Sequence, residues 1–145
     1  VKLGIFGDNI KMERNESGRF ESRFSTVQVE TSGCHFTKKL NKMKFGIWVA
    51  HGEGRFVIDN ETLSELNENK QIVMRYVDFK GNKTQSYPHN PNGSTDAIAG
   101  ICSKDGRHLA LMPHPERSFL KWQLPWCPID LKGDYTPWFN IFRLD

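Results

Sequence analysis

An apolar run that stops abruptly on polar chemistry constrains this chain more than any other feature. Phe45-Gly46-Ile47-Trp48-Val49-Ala50 carries no charge and is followed at once by His51-Gly52-Glu53-Gly54. A short apolar run bounded by glycines predicts a buried strand running into a turn. Titratable groups are thereby delivered to a strand end.

Further elements can be placed around that strand. Arg19 to Glu30 intersperses Phe20, Phe24, Val27 and Val29 with polar residues and stops at Thr31-Ser32-Gly33, predicting a second strand with one slip in its period. Cys34 to Leu40 reads as a short helix. Asn60 is expected to cap a helix through Lys70, with Leu63 and Leu66 facing inward and Asp59 adding negative charge at its start. Two hairpins follow. Gln71 to Phe79 should turn at Lys80-Gly81-Asn82 into Lys83 to Tyr87, and Ala97 to Ser103 should turn at Asp105-Gly106 into His108 to Met112. Between them the prolines and glycine of Tyr87 to Ser94 make a fixed irregular loop. Trp122, Trp126, Pro128, Pro137 and Trp138 exclude a long helix before a final turn at Trp138 to Phe142.

Composition removes several function classes. No apolar run approaches the roughly 20 residues that a membrane-spanning helix needs. The net charge is +3, and its densest cluster, Lys38, Lys39, Lys42 and Lys44, lacks the aromatic residues interleaved through a nucleic-acid groove, so it reads as a solvated face. Neither a membrane nor a nucleic acid is expected as a partner. The cysteines Cys34, Cys102 and Cys127 are odd in number and form no CxxC pair, which argues against a disulfide framework or zinc site. A reducing compartment, the cytoplasm, is expected. Asn-x-Ser/Thr triplets start at Asn15, Asn60, Asn82 and Asn92, and read as turn and cap residues rather than glycan acceptors. The chain opens inside an apolar stretch, Val1 to Phe6, without Met, as expected of a piece of a longer polypeptide.

Two segments could carry chemistry. In Met112-Pro113-His114-Pro115-Glu116-Arg117, residues two apart in an extended chain share a face, and Pro115 keeps His114 out of helical geometry. His114 beside the Glu116 carboxylate is what a general base needs, since the carboxylate fixes the ring tautomer and stabilises the imidazolium. The alternative is a turn histidine next to a surface charge. Ala50-His51-Gly52-Glu53-Gly54-Arg55 is the second segment, with two glycines that would let a small ligand approach the backbone, or else a strand-end turn with satisfied polar groups. The glycines lack the Lys-Ser/Thr of a phosphate loop, and His51, His89, His108 and His114 lack the spacing of a metal site, so no metal is expected.

These strings, together with Tyr87-Pro88-His89-Asn90-Pro91-Asn92-Gly93-Ser94 and Ser17-Gly18-Arg19-Phe20-Glu21-Ser22-Arg23-Phe24, occur in the same order as in the phosphoribosylformylglycinamidine synthase family, whose glutamine amidotransferase domain the chain resembles from about Arg14 to Phe142. His-Pro-Glu is widespread among class I amidotransferases, whereas His-Gly-Glu-Gly with Asn-Pro-Asn-Gly-Ser is specific to this family.

The resemblance implies an α/β fold, an open flavodoxin-like sheet, with residues 1–145 forming the C-terminal part of one such domain and the nucleophile-bearing N-terminal half absent. It maps His114 and Glu116 onto the histidine and glutamate of a Cys-His-Glu triad. The cysteine attacks the glutamine side-chain amide, the histidine protonates the departing ammonia, and water releases glutamate. None of Cys34, Cys102 and Cys127 has the glycine-flanked elbow of the family nucleophile, so all three are read as non-catalytic. By analogy His51 and Gly52 flank the glutamine pocket. The implied partner is a synthetase domain of the same polypeptide, which would use ATP and Mg to turn formylglycinamide ribonucleotide into its amidine; no cofactor is expected in this chain. A glutaminase serving another acceptor and a catalytically dead interaction module are the alternatives.

Overall fold

The computed structural model describes residues 4–7, 9–128 and 130–143, so the first three residues of the opening apolar stretch lie outside it. Its strands are β1 (Ile10–Glu13), β2 (Glu21–Val29), β3 (Lys44–His51), β4 (Arg55–Ile58), β5 (Ile72–Tyr76), β6 (Ile98–Cys102) and β7 (Leu109–Leu111), with one α-helix, α1 (Asn60–Glu68), between β4 and β5. Five strands form a sheet in the order β3-β2-β5-β6-β7, and β1 pairs with β4 in a separate ribbon. The described ladders are all antiparallel. No helix among the described residues is long and apolar enough to cross a membrane.

The α/β architecture buries two apolar clusters. In one, Val27, Val29, Ile47, Val49, Val73, Met74 and Tyr76 meet Leu40 from the 3-10 turns His35–Leu40 and Trp138 from Pro137–Phe142. Trp138 is fully buried, and its indole N–H donates to the Gly46 carbonyl at 2.7 Å, which satisfies the one polar atom such a side chain brings into a core. In the other, Ile72, Ile98 and Ile101 pack with Ile10 of β1, Phe56 and Ile58 of β4 and Leu66 of α1. β5 and β6 are buried along their whole length, as expected of strands in the middle of a covered sheet.

The sheet is curled so far that its two ends approach one another. Met112, just past β7, still donates its N–H to Ala99 of β6, yet two residues later His114 donates to the carbonyl of Trp48 in β3 at 2.7 Å. Two residues span no more than about 7 Å of chain. The segment leaving one edge of the sheet therefore joins the other edge at once, and His114 is the residue at the seam.

Several sequence expectations need correction. Asp59, not Asn60, is the cap of α1: its carboxylate accepts from the Thr62 N–H at 2.8 Å in extended geometry, while Asn60 is already helical. The helix ends at Glu68, and Lys70 has a positive φ of 53°, which terminates it. The first hairpin is reduced to a single bridge, Val77 to Lys83, because β2 and β6 occupy both edges of β5. The second forms as expected, β6 with β7, with Gly106 at φ 70° in its turn. β1 and β4 have no counterpart among the predicted strands. The slipped strand, the apolar strand, the short helix after Cys34 and the final turn are all present.

Candidate active site

The site is assembled on one strand, β3, which presents Trp48 to the seam and His51 at its end. His114 has an extended backbone (φ −108°, ψ 86°), as expected before a proline, and Pro115 then opens a single 3-10 turn, Pro115–Arg117. His114 and Glu116 thus meet around a turn, not along the extended face that alternation predicts. The contact is made all the same, with His114 Nδ1 lying 2.6 Å from Glu116 Oε1. The carboxylate fixes the proton on Nδ1 and leaves Nε2 as the ring atom free to give or take a proton. His114 is about a quarter exposed and Glu116 about half, so the pair opens to solvent. Arg117 Nε approaches Glu116 at 3.8 Å, a contact too long and exposed to contribute much.

The turn carrying the pair is tied down on several sides. Ser118, fully buried, donates its hydroxyl to the His114 carbonyl at 3.0 Å and accepts from the Trp48 N–H at 3.1 Å. Gln123 donates its side-chain amide to the Glu116 carbonyl at 3.2 Å, accepts from the Leu120 N–H at 2.8 Å, and offers its own carbonyl to the Trp48 indole at 2.7 Å. The Trp48 ring in turn meets Phe24 edge-on at 5.3 Å, and the Phe24 ring lies over Gly46, where any side chain would collide with it.

At the end of β3 the other three motif strings are knitted together. Asn15 donates its amide to the carbonyls of His51 at 2.6 Å and Arg19 at 2.9 Å, and its own N–H to Gly52. The N–H of Glu16 donates to the carbonyl of buried Asn92, whose amide donates to Gly54 at 2.6 Å. Gly93 sits at φ 75° against Glu16, a place that only glycine fills without strain. Asn15 and Asn92 are buried ties between loops. Reading them as turn or cap residues missed that role.

His51 is buried, and desolvation pushes its pKa below the ordinary histidine value, with nearby His114 acting in the same direction. Its Nδ1 lies 3.3 Å from the Asn15 carbonyl oxygen, which can only accept, so Nδ1 carries the proton. Nε2 is then a buried acceptor, and it has no hydrogen-bond partner among the described residues. Glu21 stands opposite His51 in the ladder and pairs with Arg23 at 2.5 Å; Arg23 also reaches the Tyr87 hydroxyl at 2.6 Å. Beside this cluster a cavity of about 290 Å³ is lined by Glu16, Ser17, Arg19, Gln85, Tyr87, Asn90, Pro91 and Gly93. His51, Gly52, His114 and Glu116 do not line it.

The structure thus brings His114, Glu116 and, through β3, His51 into one region, while sequence reasoning missed Asn15, Ser118 and Gln123, which hold them. Cys34 and Cys102 are buried in the core, and Cys127 is half-buried. Among the described residues no group of titratable side chains could hold a metal ion.

Known proteins align with nearly the whole chain. It is 44% identical over 136 residues to phosphoribosylformylglycinamidine synthase of Dictyostelium discoideum, covering 89% of this chain and 10% of that protein. It is 47% identical over 133 residues to the probable chloroplastic/mitochondrial phosphoribosylformylglycinamidine synthase of Arabidopsis thaliana, with the same coverage. The chain therefore spans about 10% of the length of the curated relatives it matches. A chain of PurLQS from Thermotoga maritima is similar in structure, with a TM-score of 0.60 and 29% identity over 81% of this chain and 47% of that one. Residues 5–144 match the family model of the CobB/CobQ-like glutamine amidotransferase domain, and the chain belongs to that family.

Proposed function

We propose that this chain carries the acid–base half of a glutaminase site within a phosphoribosylformylglycinamidine synthase. The contact between His114 Nδ1 and Glu116 Oε1, on a turn pinned to β3, carries this reading. Glu116 orients the ring, His114 Nε2 shuttles the proton from the attacking thiol to the leaving ammonia, and water then releases glutamate. The nucleophile is one supplied from outside these residues, because Cys34 and Cys102 are sealed in the core and Cys127 lies in a loop between Trp126 and Pro128, outside any strand-to-helix elbow. By itself the chain does not hydrolyse glutamine.

His51 and Gly52 flank the glutamine at the end of β3, and the unpartnered Nε2 of His51 suits an N–H donor. The ammonia passes to a synthetase region of the same polypeptide, where ATP and Mg drive amidine formation from formylglycinamide ribonucleotide. Three free thiols suit a reducing compartment, the cytoplasm.

The test is His114→Ala in the full-length synthase. Loss of one triad member costs on the order of a thousandfold or more. Glutamine-dependent synthesis should fall by that much, while high ammonium chloride still supports product formation. Loss of both activities from folded enzyme would show that His114 is not dedicated to glutamine hydrolysis.

A further inference from the structure

We propose that Ser118 is the positioning residue for His114, its hydroxyl fixing the histidine main chain against β3 so that the imidazole faces the reacting atoms. The inference rests on the acid–base role of His114. His114 lies on a surface turn, and short 3-10 segments have poor hydrogen-bond geometry of their own. Their placement must come from outside. Gln123 holds the Glu116 end of the turn, and at the His114 end Ser118 Oγ uses both of its capacities at once: it donates to the His114 carbonyl and accepts the Trp48 N–H, while the Trp48 carbonyl accepts the His114 N–H. Serine, strand and histidine form a closed loop of three hydrogen bonds.

The anchor is itself rigid. The Ser118 carbonyl accepts the Thr136 hydroxyl at 2.6 Å, and Thr136 Oγ1 caps the final turn by accepting from the N–H of fully buried Trp138. The Trp138 indole returns to β3 at Gly46. The tail of the chain is thereby fastened to β3 at two points two residues apart, with Ser118 at one and Trp138 at the other. A serine that only filled space would need no hydroxyl. In this setting replacement by alanine strands the Trp48 N–H and leaves the His114 carbonyl only its local bond from the Arg117 N–H, so nothing ties that carbonyl to β3 and the turn can shift.

In the full-length synthase, Ser118→Ala should lower kcat for glutamine-dependent synthesis about ten- to a hundredfold, the cost of displacing a catalytic group by about 1 Å. KM for glutamine should hold. Rates are taken per site alkylated by a glutamine-analogue inactivator, so that misfolded protein is not counted, and the ammonia-supported rate serves as the reference for each preparation. Ser118→Thr, which retains the hydroxyl, should recover most of the lost kcat. Where Ser118→Ala does not accumulate folded, Ser118→Cys keeps the volume, weakens both hydrogen bonds and carries the same comparison. Unchanged kcat per site would overturn the proposal, as would an equal loss in Ser118→Thr. If His114→Ala itself left glutamine-dependent synthesis intact, the reading of the site would fail first.

Discussion

Gly54 and Gly52 lie two residues apart in the same strand-end loop, and the structure assigns them opposite tolerance to a side chain. A Cβ at Gly54 would lie 2.4 Å from His51 Nδ1, 2.5 Å from Cε1 and 2.7 Å from Cγ, far inside van der Waals contact with three ring atoms. A Cβ at Gly52 would meet only Phe20 Cδ2 at 3.8 Å, an ordinary contact. The ring cannot easily retreat, since it is buried and its Nδ1 faces Asn15. Overpacking of this kind costs about 1–3 kcal/mol. Losing the Asn15 contact adds about 1 kcal/mol. Gly54→Ala should therefore destabilise by about 2–4 kcal/mol and Gly52→Ala by less than about 0.5 kcal/mol. Equilibrium urea unfolding measures both. The cause can be isolated with a double-mutant cycle: in a His51→Ala background the clash has no partner, and Gly54→Ala should become nearly neutral. If Gly54→Ala cost as much without the ring as with it, His51 would not be what requires a glycine there.

Trp138→Ala should lower stability by about 3–5 kcal/mol, read as a shift in urea midpoint at constant m, because it empties a fully buried site and strips the Gly46 carbonyl of its donor. His51 should make stability pH-dependent. Its folded pKa lies below the unfolded value of about 6.5, so the unfolded chain binds more protons between the two; stability is full above about pH 6.5 and declines as pH falls toward the folded pKa. Comparing unfolding free energies on either side of pH 6.5 in the parent and His51→Gln should show a smaller decline in the variant, although Glu21 opposes the effect. Asp59→Ala should lower the melting temperature more than Asn60→Ala, since only Asp59 accepts from Thr62.

What could be read in the sequence was local. Periodicity places β2, β3 and the β6–β7 hairpin because alternation and apolar runs are properties of a few neighbouring residues. It does not say which strand lies beside which, and so the return strand predicted after Lys80-Gly81-Asn82 is lost to competition from β2 and β6 for the edges of β5. The short β1 and β4 escaped notice because each is only four residues long and is stabilised by pairing with the other. In the site, proline-flanked His114 and Glu116 stand out by chemistry and spacing. Ser118 and Gln123 do not, since each meets Trp48 some seventy positions away in the chain, at its N–H and its indole respectively, and nothing in their immediate neighbours marks them as ties to β3.

The meeting of the sheet's two edges at His114 bears on the order in which the chain folds. Trp48 and His114 are far apart in sequence, and contacts of that kind pay loop-closure entropy before they return any stabilisation. Hairpins such as β2–β3 and β6–β7 join near neighbours and form more readily. A partly folded chain would therefore hold these hairpins while the free edge of β3 stays open to pairing with other molecules, and over that same interval His114 has no fixed address. Closing the seam protects the edge and places the histidine in a single event. A domain caught before it is therefore sticky, and its His114–Glu116 turn is not yet seated on β3.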